Sequence, residues 1–278
     1  MIPPEFDYVA PDTLDEVLTA LRGDDEAKVL AGGHSLLPLM KLRLAAPTML
    51  VDIRKVPGLR GAQRENGQWK IGPLTRHADI QGNADLGPLG KAAALIADQQ
   101  VRNRGTIGGS LAHGDPASDL PTVLLACEGS VTVTGSGGTR EIGAADLFQD
   151  YLTTAVGDDE VLTEVRVPDF DGWGSSYVKF TRRAEDWAMV AVCAMVKKAA
   201  DGSCEDVRVA LTNMASTPIR ASATEDALRG KGADAIAAAA EQAAEGTDPP
   251  GDLNASPDYK RHLARVLTRR ALEEAAAA

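Results

Sequence analysis

The chain has 278 residues, 29 Lys and Arg against 40 Asp and Glu, a net charge of −11 and only 4% aromatic residues. At roughly 150 residues per domain this length suggests two domains with a substantial core, and the negative field and the scarcity of stacking rings exclude a general nucleic-acid binder. Cys127, Cys193 and Cys204 are widely spaced and form no C-x-x-C, so no disulfide framework, zinc site or iron–sulfur site is encoded; they suit a reducing cytoplasm, and with no signal peptide and no apolar run of about 18 residues the chain reads as soluble and unprocessed.

Thr13 predicts the cap of a helix with Leu14, Val17, Leu18 and Leu21 on one face. A strand over 28–31 runs into Gly32-Gly33-His34-Ser35, a helix over 36–44 carrying Lys41 and Arg43 follows, and 49–53 forms a second strand closed by Pro57 and Gly58. From Trp69 the pattern gives a strand around Ile71, a loop with Thr75 and His77, and a helix over 89–103 with Leu89, Ala93, Ile96 and Ala97 together. Gly108 and Gly109 then open a second glycine loop, which ends at Asp119 ahead of an apolar helix over 122–127. A hairpin over 131–142 and a strand over 161–167 that stops at Pro168 complete the first part.

Residues 169–174 cluster glycine and short polar residues and form the best linker, dividing the chain into 1–173 and 174–278. Three strands follow, over 177–182, 189–197 and 207–213, then a helix-prone Ala-rich stretch over 233–245 and a final helix opened by Ser256 and Pro257. The Ala tail reads as a frayed end. Strands followed by helices make the class α+β.

No phosphate-loop, zinc-protease or nucleophile-elbow motif is present, and the histidines at 34, 77, 113 and 262 do not fall at metal-ligand spacing. What stands out is a pair of similar segments, Ala31-Gly32-Gly33-His34-Ser35 and Thr106-Ile107-Gly108-Gly109-Ser110. Adjacent glycines let backbone amides converge into an anion nest, with Ser35, Thr106 and Ser110 adding hydroxyls and the helix after the first loop adding its positive end. A pyrophosphate fits between two such loops; the alternative for each is a plain tight turn. Asp119 is either a helix cap or an acceptor for a ribose or adenine. His34 and His113 are phosphate partners or ordinary loop groups, and Arg102-Asn103-Arg104 is a solvated helix end or a local source of positive charge. Beside Lys179, Arg182, Arg183 and Asp186, Trp187 is either a core residue or a wall against a planar ring.

At these residues the sequence resembles the FAD-binding medium subunits of the molybdenum hydroxylase (xanthine dehydrogenase) family, and among them those of the aerobic carbon monoxide dehydrogenase type. The resemblance runs over nearly the whole chain, through Met1-Ile2-Pro3, Phe6-Asp7-Tyr8, residues 31–38, Met40-Lys41, Arg43-Leu44, Leu50-Val51-Asp52, residues 95–98, Thr106-Ile107-Gly108-Gly109, Gly114-Asp115-Pro116 with Asp119, Leu211-Thr212-Asn213 and Thr217-Pro218. It implies a two-part FAD-binding domain of the vanillyl-alcohol-oxidase (PCMH) type and a C-terminal domain with a three-stranded antiparallel sheet and helices. The pyrophosphate would lie across 31–35 and 106–110, and Ile96, Asp119, Leu162 and Lys179 match further FAD contacts. Trp187 stands where the family's carbon monoxide enzymes place a tyrosine beside the flavin ring, and Ser110 and His113 stand where asparagine is common.

The resemblance also implies partners. A large subunit with molybdenum and molybdopterin oxidises the substrate, and a small subunit carries two 2Fe–2S clusters that feed the FAD. The assembly would be a dimer of heterotrimers that delivers electrons to a quinone or other acceptor, cytoplasmic and in contact with the inner face of the cell membrane through the complex. Carbon monoxide is the expected substrate, with N-heterocycles such as purines, caffeine or nicotine as the alternative. An independent flavin oxidase and a non-catalytic nucleotide-binding scaffold are the competing roles, and no catalytic acid or base is expected in this chain.

Overall fold

The structure, a computed structural model, describes residues 2–278; Met1, which opens the N-terminal part of the resemblance, lies outside the described residues. The chain begins with β1 (Asp7–Val9), α1 (Leu14–Gly23), β2 (Lys28–Leu30), α2 (Leu36–Leu42) and β3 (Met49–Asp52). Thr13 caps α1 in a reciprocal box with Glu16, and Val17, Leu18 and Leu21 are buried. β3 lies between β1 and β2 and runs parallel to both. The turn over 31–35 therefore leaves the carboxyl edge of a parallel sheet, the edge at which such sheets present ligand loops.

Next come β4 (Ala62–Glu65), β5 (Gln68–Ile71), α3 (His77–Gln81), α4 (Gly87–Ala93), α5 (Gln99–Arg102), α6 (Ile107–His113) and α7 (Asp119–Ala126). They are followed by β6 (Ser130–Gly135), β7 (Gly138–Gly143), α8 (Ala144–Leu147), β8 (Phe148–Asp150), β9 (Thr153–Thr154) and β10 (Val161–Pro168). Five of these strands form an antiparallel sheet in the order β4-β5-β10-β6-β7. β4 has no predicted counterpart because its residues are polar and mostly exposed, without the alternation that marks a half-buried strand.

Three expectations need correction in this region. The helix predicted over 89–103 is two helices, broken where Ala97 takes a φ of 38°. The Arg102 guanidinium closes the break by donating to the carbonyls of Ile96 (2.6 Å) and Ala97 (2.9 Å), so Arg102 is not a free helix end. Gly108 and Gly109 lie inside α6, capped by Thr106, rather than in a loop. Asp119 is the first residue of α7, with Ser118 at the cap position, so Asp119 is not the cap.

The last part contains β11 (Trp173–Phe180), β12 (Val190–Lys198), β13 (Cys204–Thr212), β14 (Ile219–Arg220), α9 (Ser222–Leu228), α10 (Ile236–Ala240) and α11 (Pro257–Ala277). The three predicted strands pair antiparallel, and the two-residue β14 extends their sheet. The apolar run of β12 divides by period two. Ala191, Cys193 and Met195 join the core that holds Leu120, Val123 and Leu124 of α7, while Val190, Val192, Ala194 and Val196 meet Leu263, Leu267 and Ala271 of α11. α7 is buried at all eight positions, as an all-round apolar helix must be. Among the described residues no helix is long and apolar enough to cross a membrane.

The Ala tail is not frayed. α11 continues to Ala277, Ala275 is buried, and the Ser176 hydroxyl donates to the Glu274 carboxylate at 2.6 Å. A Cβ at Gly174 would stand 1.9 Å from the Ala275 carbonyl oxygen, so the tail lies directly on β11. Truncation after Glu274 should lower stability by about 1–2 kcal/mol through lost apolar burial. An unchanged melting temperature would show that the last turn adds nothing.

Candidate functional site

A cavity of about 540 Å³ opens where the parallel sheet, the five-stranded sheet with its helices, and the loop after β11 converge, a size within the range of small-molecule sites. Its first wall is the turn Ala31, Gly32, Gly33, His34 and Ser35. Gly33 has a φ of 79°, which glycine adopts without strain. The N–H groups of Gly32, Gly33, His34, Ser35 and Leu36 find no acceptor among the described residues. Five consecutive free donors beside a cavity are an anion nest. The Ser35 side chain makes no capping bond, and His34 Nδ1 donates to the Gly32 carbonyl at 3.2 Å. Because α2 has only seven residues, the loop's own amides rather than a long helix dipole make this edge positive.

The second wall differs from the expectation of a matching nest. Thr106, Gly108, Gly109 and Ser110 line the cavity, but their neighbourhood has spent its amides inside the protein. Ile107 N–H donates to the Thr75 carbonyl (3.0 Å), Gly108 N–H to the Pro73 carbonyl (2.9 Å) and Gly109 N–H to Thr106 Oγ1 (3.2 Å). The second glycine pair serves packing instead: a Cβ at Gly108 would stand 2.4 Å from Pro73 Cβ. Ile107 does not line the cavity; its side chain is fully buried in the core. The two walls meet through glycine as well, since a Cβ on Gly32 would lie 2.3 Å from the Arg104 carbonyl oxygen.

Ile96, Leu162, Asp119, Lys179 and Trp187 line the far end. Lys179 Nζ meets Asp119 Oδ2 at 2.9 Å, with side chains 5% and 4% exposed. The Tyr177 hydroxyl donates to Asp119 Oδ1 at 2.7 Å, and Lys179 also donates to the Leu95 carbonyl at 3.1 Å. Burial pushes the Asp119 carboxyl above its ordinary range, opposed by the Lys179 ammonium and the Tyr177 hydroxyl. Trp187 is 57% exposed at the rim, which rules out the core reading. His113, in the last turn of α6, also lines the cavity.

Among the described residues no arginine lines this cavity, and its lysines, Lys28 and Lys179, are each paired with a carboxylate, Asp158 (3.1 Å) and Asp119 (2.9 Å). The donors this cavity offers without a carboxylate partner are therefore neutral N–H and hydroxyl groups. Sequence reasoning missed Val29, Pro73, Val101 and Gly105 on the walls and met His77 only as a loop residue. The His77 ring is 5% exposed, and burial lowers its pKa to about 4, with His34 and Arg102 adding repulsion.

The family described as the FAD binding domain in molybdopterin dehydrogenase matches residues 4–170, and the CO dehydrogenase flavoprotein C-terminal domain matches 175–275. The chain is 42% identical to the carbon monoxide dehydrogenase medium chain of Hydrogenophaga pseudoflava, over 99% of this chain and 98% of that one. It is 38% identical to subunit alpha of the 6-hydroxypseudooxynicotine dehydrogenase complex of Paenarthrobacter nicotinovorans, over 99% and 96%. A solved structure of carbon monoxide dehydrogenase from Hydrogenophaga pseudoflava, lacking the Mo-pyranopterin moiety of its molybdenum cofactor, superposes with a TM-score of 0.96 at 43% identity, covering 100% of this chain and 99% of that one.

Two outcomes follow from the charges at this site. Asp119→Ala leaves the buried Lys179 ammonium unpaired and should cost about 3–5 kcal/mol of stability, whereas Asp119→Leu combined with Lys179→Met should return to within about 1–2 kcal/mol of the parent. Urea unfolding of the three proteins decides; a double variant no better than the single one would deny the coupling. Because His77 binds its proton less readily when folded than its ordinary value of 6.5 allows, the unfolded chain takes up more protons between pH 6.5 and 4, and stability falls as pH drops through that window, by up to about 3 kcal/mol from this group. A His77→Gln chain should lose that part of the slope in denaturation curves measured across the window.

Proposed function

Because the chain belongs to the FAD-binding medium subunits of the molybdenum hydroxylase family, we propose that it carries electrons from 2Fe–2S clusters on a small partner subunit to a quinone or similar acceptor, while a large molybdenum subunit oxidises the substrate. The protein is a flavoprotein subunit of an oxidoreductase, and its cofactor is FAD. Bound FAD supplies electron exchange in single or paired steps. The residues fit it. The five free amides of 32–36 suit a diphosphate, and the cavity is lined both by that nest and by the Asp119–Lys179 pair.

Each wall then has a role. Gly32, Gly33, His34 and Ser35 hold the diphosphate, with Thr106 and Ser110 opposite. Ile96 and Leu162 enclose the flavin ring beside Asp119 and Lys179, and Trp187 covers its outer face. The FAD-binding part corresponds to 1–173 and the remainder to 174–278, with β11 bringing Lys179 and the loop after it bringing Trp187 to the ring. The nest of unpaired amides is the observation that supports this reading most directly.

Carbon monoxide is the proposed substrate of the complex, supported by the 42% relative and by the solved structure at 43%. A hydroxylase or dehydrogenase of N-heterocycles or their derivatives is favoured by the 38% relative, whose name carries a nicotine-derived substrate. The three cysteines are free and buried, which supports a reducing compartment such as the cytoplasm. A dimer of heterotrimers is the proposed assembly.

Purification from the native host with its two neighbours, yellow and absorbing near roughly 450 nm as oxidised flavins do, tests the reading; a colourless chain without partners overturns it. Within the complex, Trp187→Ala should keep the FAD content and change the flavin spectrum, its midpoint potential and its reoxidation rate, because an indole of 57% exposure shields one face of the ring. Stopped-flow reoxidation identical to the parent's would remove Trp187 from the ring.

A further inference from the structure

His77 is an oddity in this cavity. Its imidazole is buried to 5% exposure on the wall beside Pro73, Val101 and Gly105, yet neither ring nitrogen has a hydrogen-bond partner among the described residues, and Nδ1 is sealed from solvent altogether. A neutral imidazole carries one donor and one acceptor; the sealed Nδ1 stays unpartnered at a cost, and Nε2, which is not sealed, is the nitrogen open to a partner. The local packing keeps the ring where it is. Its backbone N–H donates to the Gly105 carbonyl at 3.0 Å, and a Cβ on Gly105 would stand 2.7 Å from Cδ2 and 2.8 Å from Nε2. Gly105 in turn is the residue whose Cα the Gly32 turn touches, with a Cβ on Gly32 placed 2.9 Å from it. One glycine thus separates the ring from the anion nest, whereas Lys179 and Trp187, which mark the flavin-ring end, come from the C-terminal part of the chain.

We propose that the His77 imidazole is a direct hydrogen-bond partner of the adenosine diphosphate half of bound FAD, an inference that rests on the flavoprotein reading above. The unpartnered Nε2 is then explained as a group completed by its ligand. The charged and titratable groups facing the ring agree with this: His34 from the first turn and Arg102 from α5 are its neighbours, Arg76 is turned onto Asp79 at 3.1 Å, and no carboxylate approaches. Burial and these two neighbours keep the ring neutral at physiological pH, so that Nε2 can donate to or accept from the nucleotide according to the tautomer.

The test is calorimetric titration of the flavin-free full chain at pH 7.5 with FAD, ADP and FMN, for the parent, His77→Phe and His77→Gln, alongside the melting temperature of each flavin-free protein. For His77→Phe the proposal expects at least tenfold weaker FAD and ADP binding, unchanged FMN binding, and a melting temperature no lower than the parent's, because a buried orphan polar group has been exchanged for an apolar ring. His77→Gln should bind FAD within about threefold of the parent, since an amide restores a donor and an acceptor. A histidine that only fills space would give the opposite, a lower melting temperature with all three ligands weakened alike, and that result overturns the proposal. FAD and ADP binding by His77→Phe at the parent's affinity also overturns it. A parent chain that fails to bind FAD at all removes the flavoprotein reading itself, which separates the two failures.

Discussion

The site depends on a contact between two stretches of main chain. Gly32, in the turn that leaves the parallel sheet, lies against the carbonyl of Arg104, where any Cβ would stand 2.3 Å from the oxygen. No side chain fits there, so only glycine allows the turn to sit over the start of α6. The consequence is a division of labour between two glycine pairs that look alike in sequence. The turn around the first pair leaves five amides without acceptors; the second pair gives its two amides to Pro73 and Thr106 and holds the opposite wall in place. In a chain with eleven more acidic than basic side chains, free amides are a way to attract a diphosphate without adding cations.

The same wall couples cofactor geometry to domain packing. Lys179 comes from β11 and Asp119 from α7, and their 2.9 Å pair, fastened by Tyr177, joins the two parts of the chain at the end of the cavity. Behind it Thr212 on β13 donates to Thr122 on α7 at 2.8 Å, and the apolar residues of β12 and α7 share one core. A shift of the C-terminal sheet therefore moves Lys179 and Trp187 together relative to the nest. Buried ion pairs are weak sources of stability but good fixers of register, and here the register sets how the far wall faces the cavity.

Much of this was legible in the residues. The cap at Thr13, the turn after 28–31, the hairpin over 131–142 and the three C-terminal strands follow from local chemistry, and the structure contains each of them. What was not legible depended on long-range contacts. Periodicity carries through Ala97 because the break there is held by Arg102 from the next helix, and Gly108-Gly109 reads as a loop because its helix is fixed by Thr75 and Pro73, over thirty residues earlier in the chain. Asp119 sits one position inside its helix, and its partner Lys179 is sixty residues away. Lining by Ile96, Leu162, Lys179 and Trp187 came from resemblance, since no spacing rule links them, and Ile107 was included by its place in a motif although it faces the core.

Amide hydrogen exchange on the flavin-free and FAD-loaded chain tests the central claim most directly, because it reads the donors themselves. Amides of Gly32, Gly33, His34, Ser35 and Leu36 should exchange rapidly without FAD and become strongly protected with it, while those of Gly108 and Gly109, already bonded within the protein, should change little. If the amides of 32–36 exchange equally fast in both states, or if protection on binding falls on Gly108 and Gly109 instead, the diphosphate is not held by the first turn and the account fails.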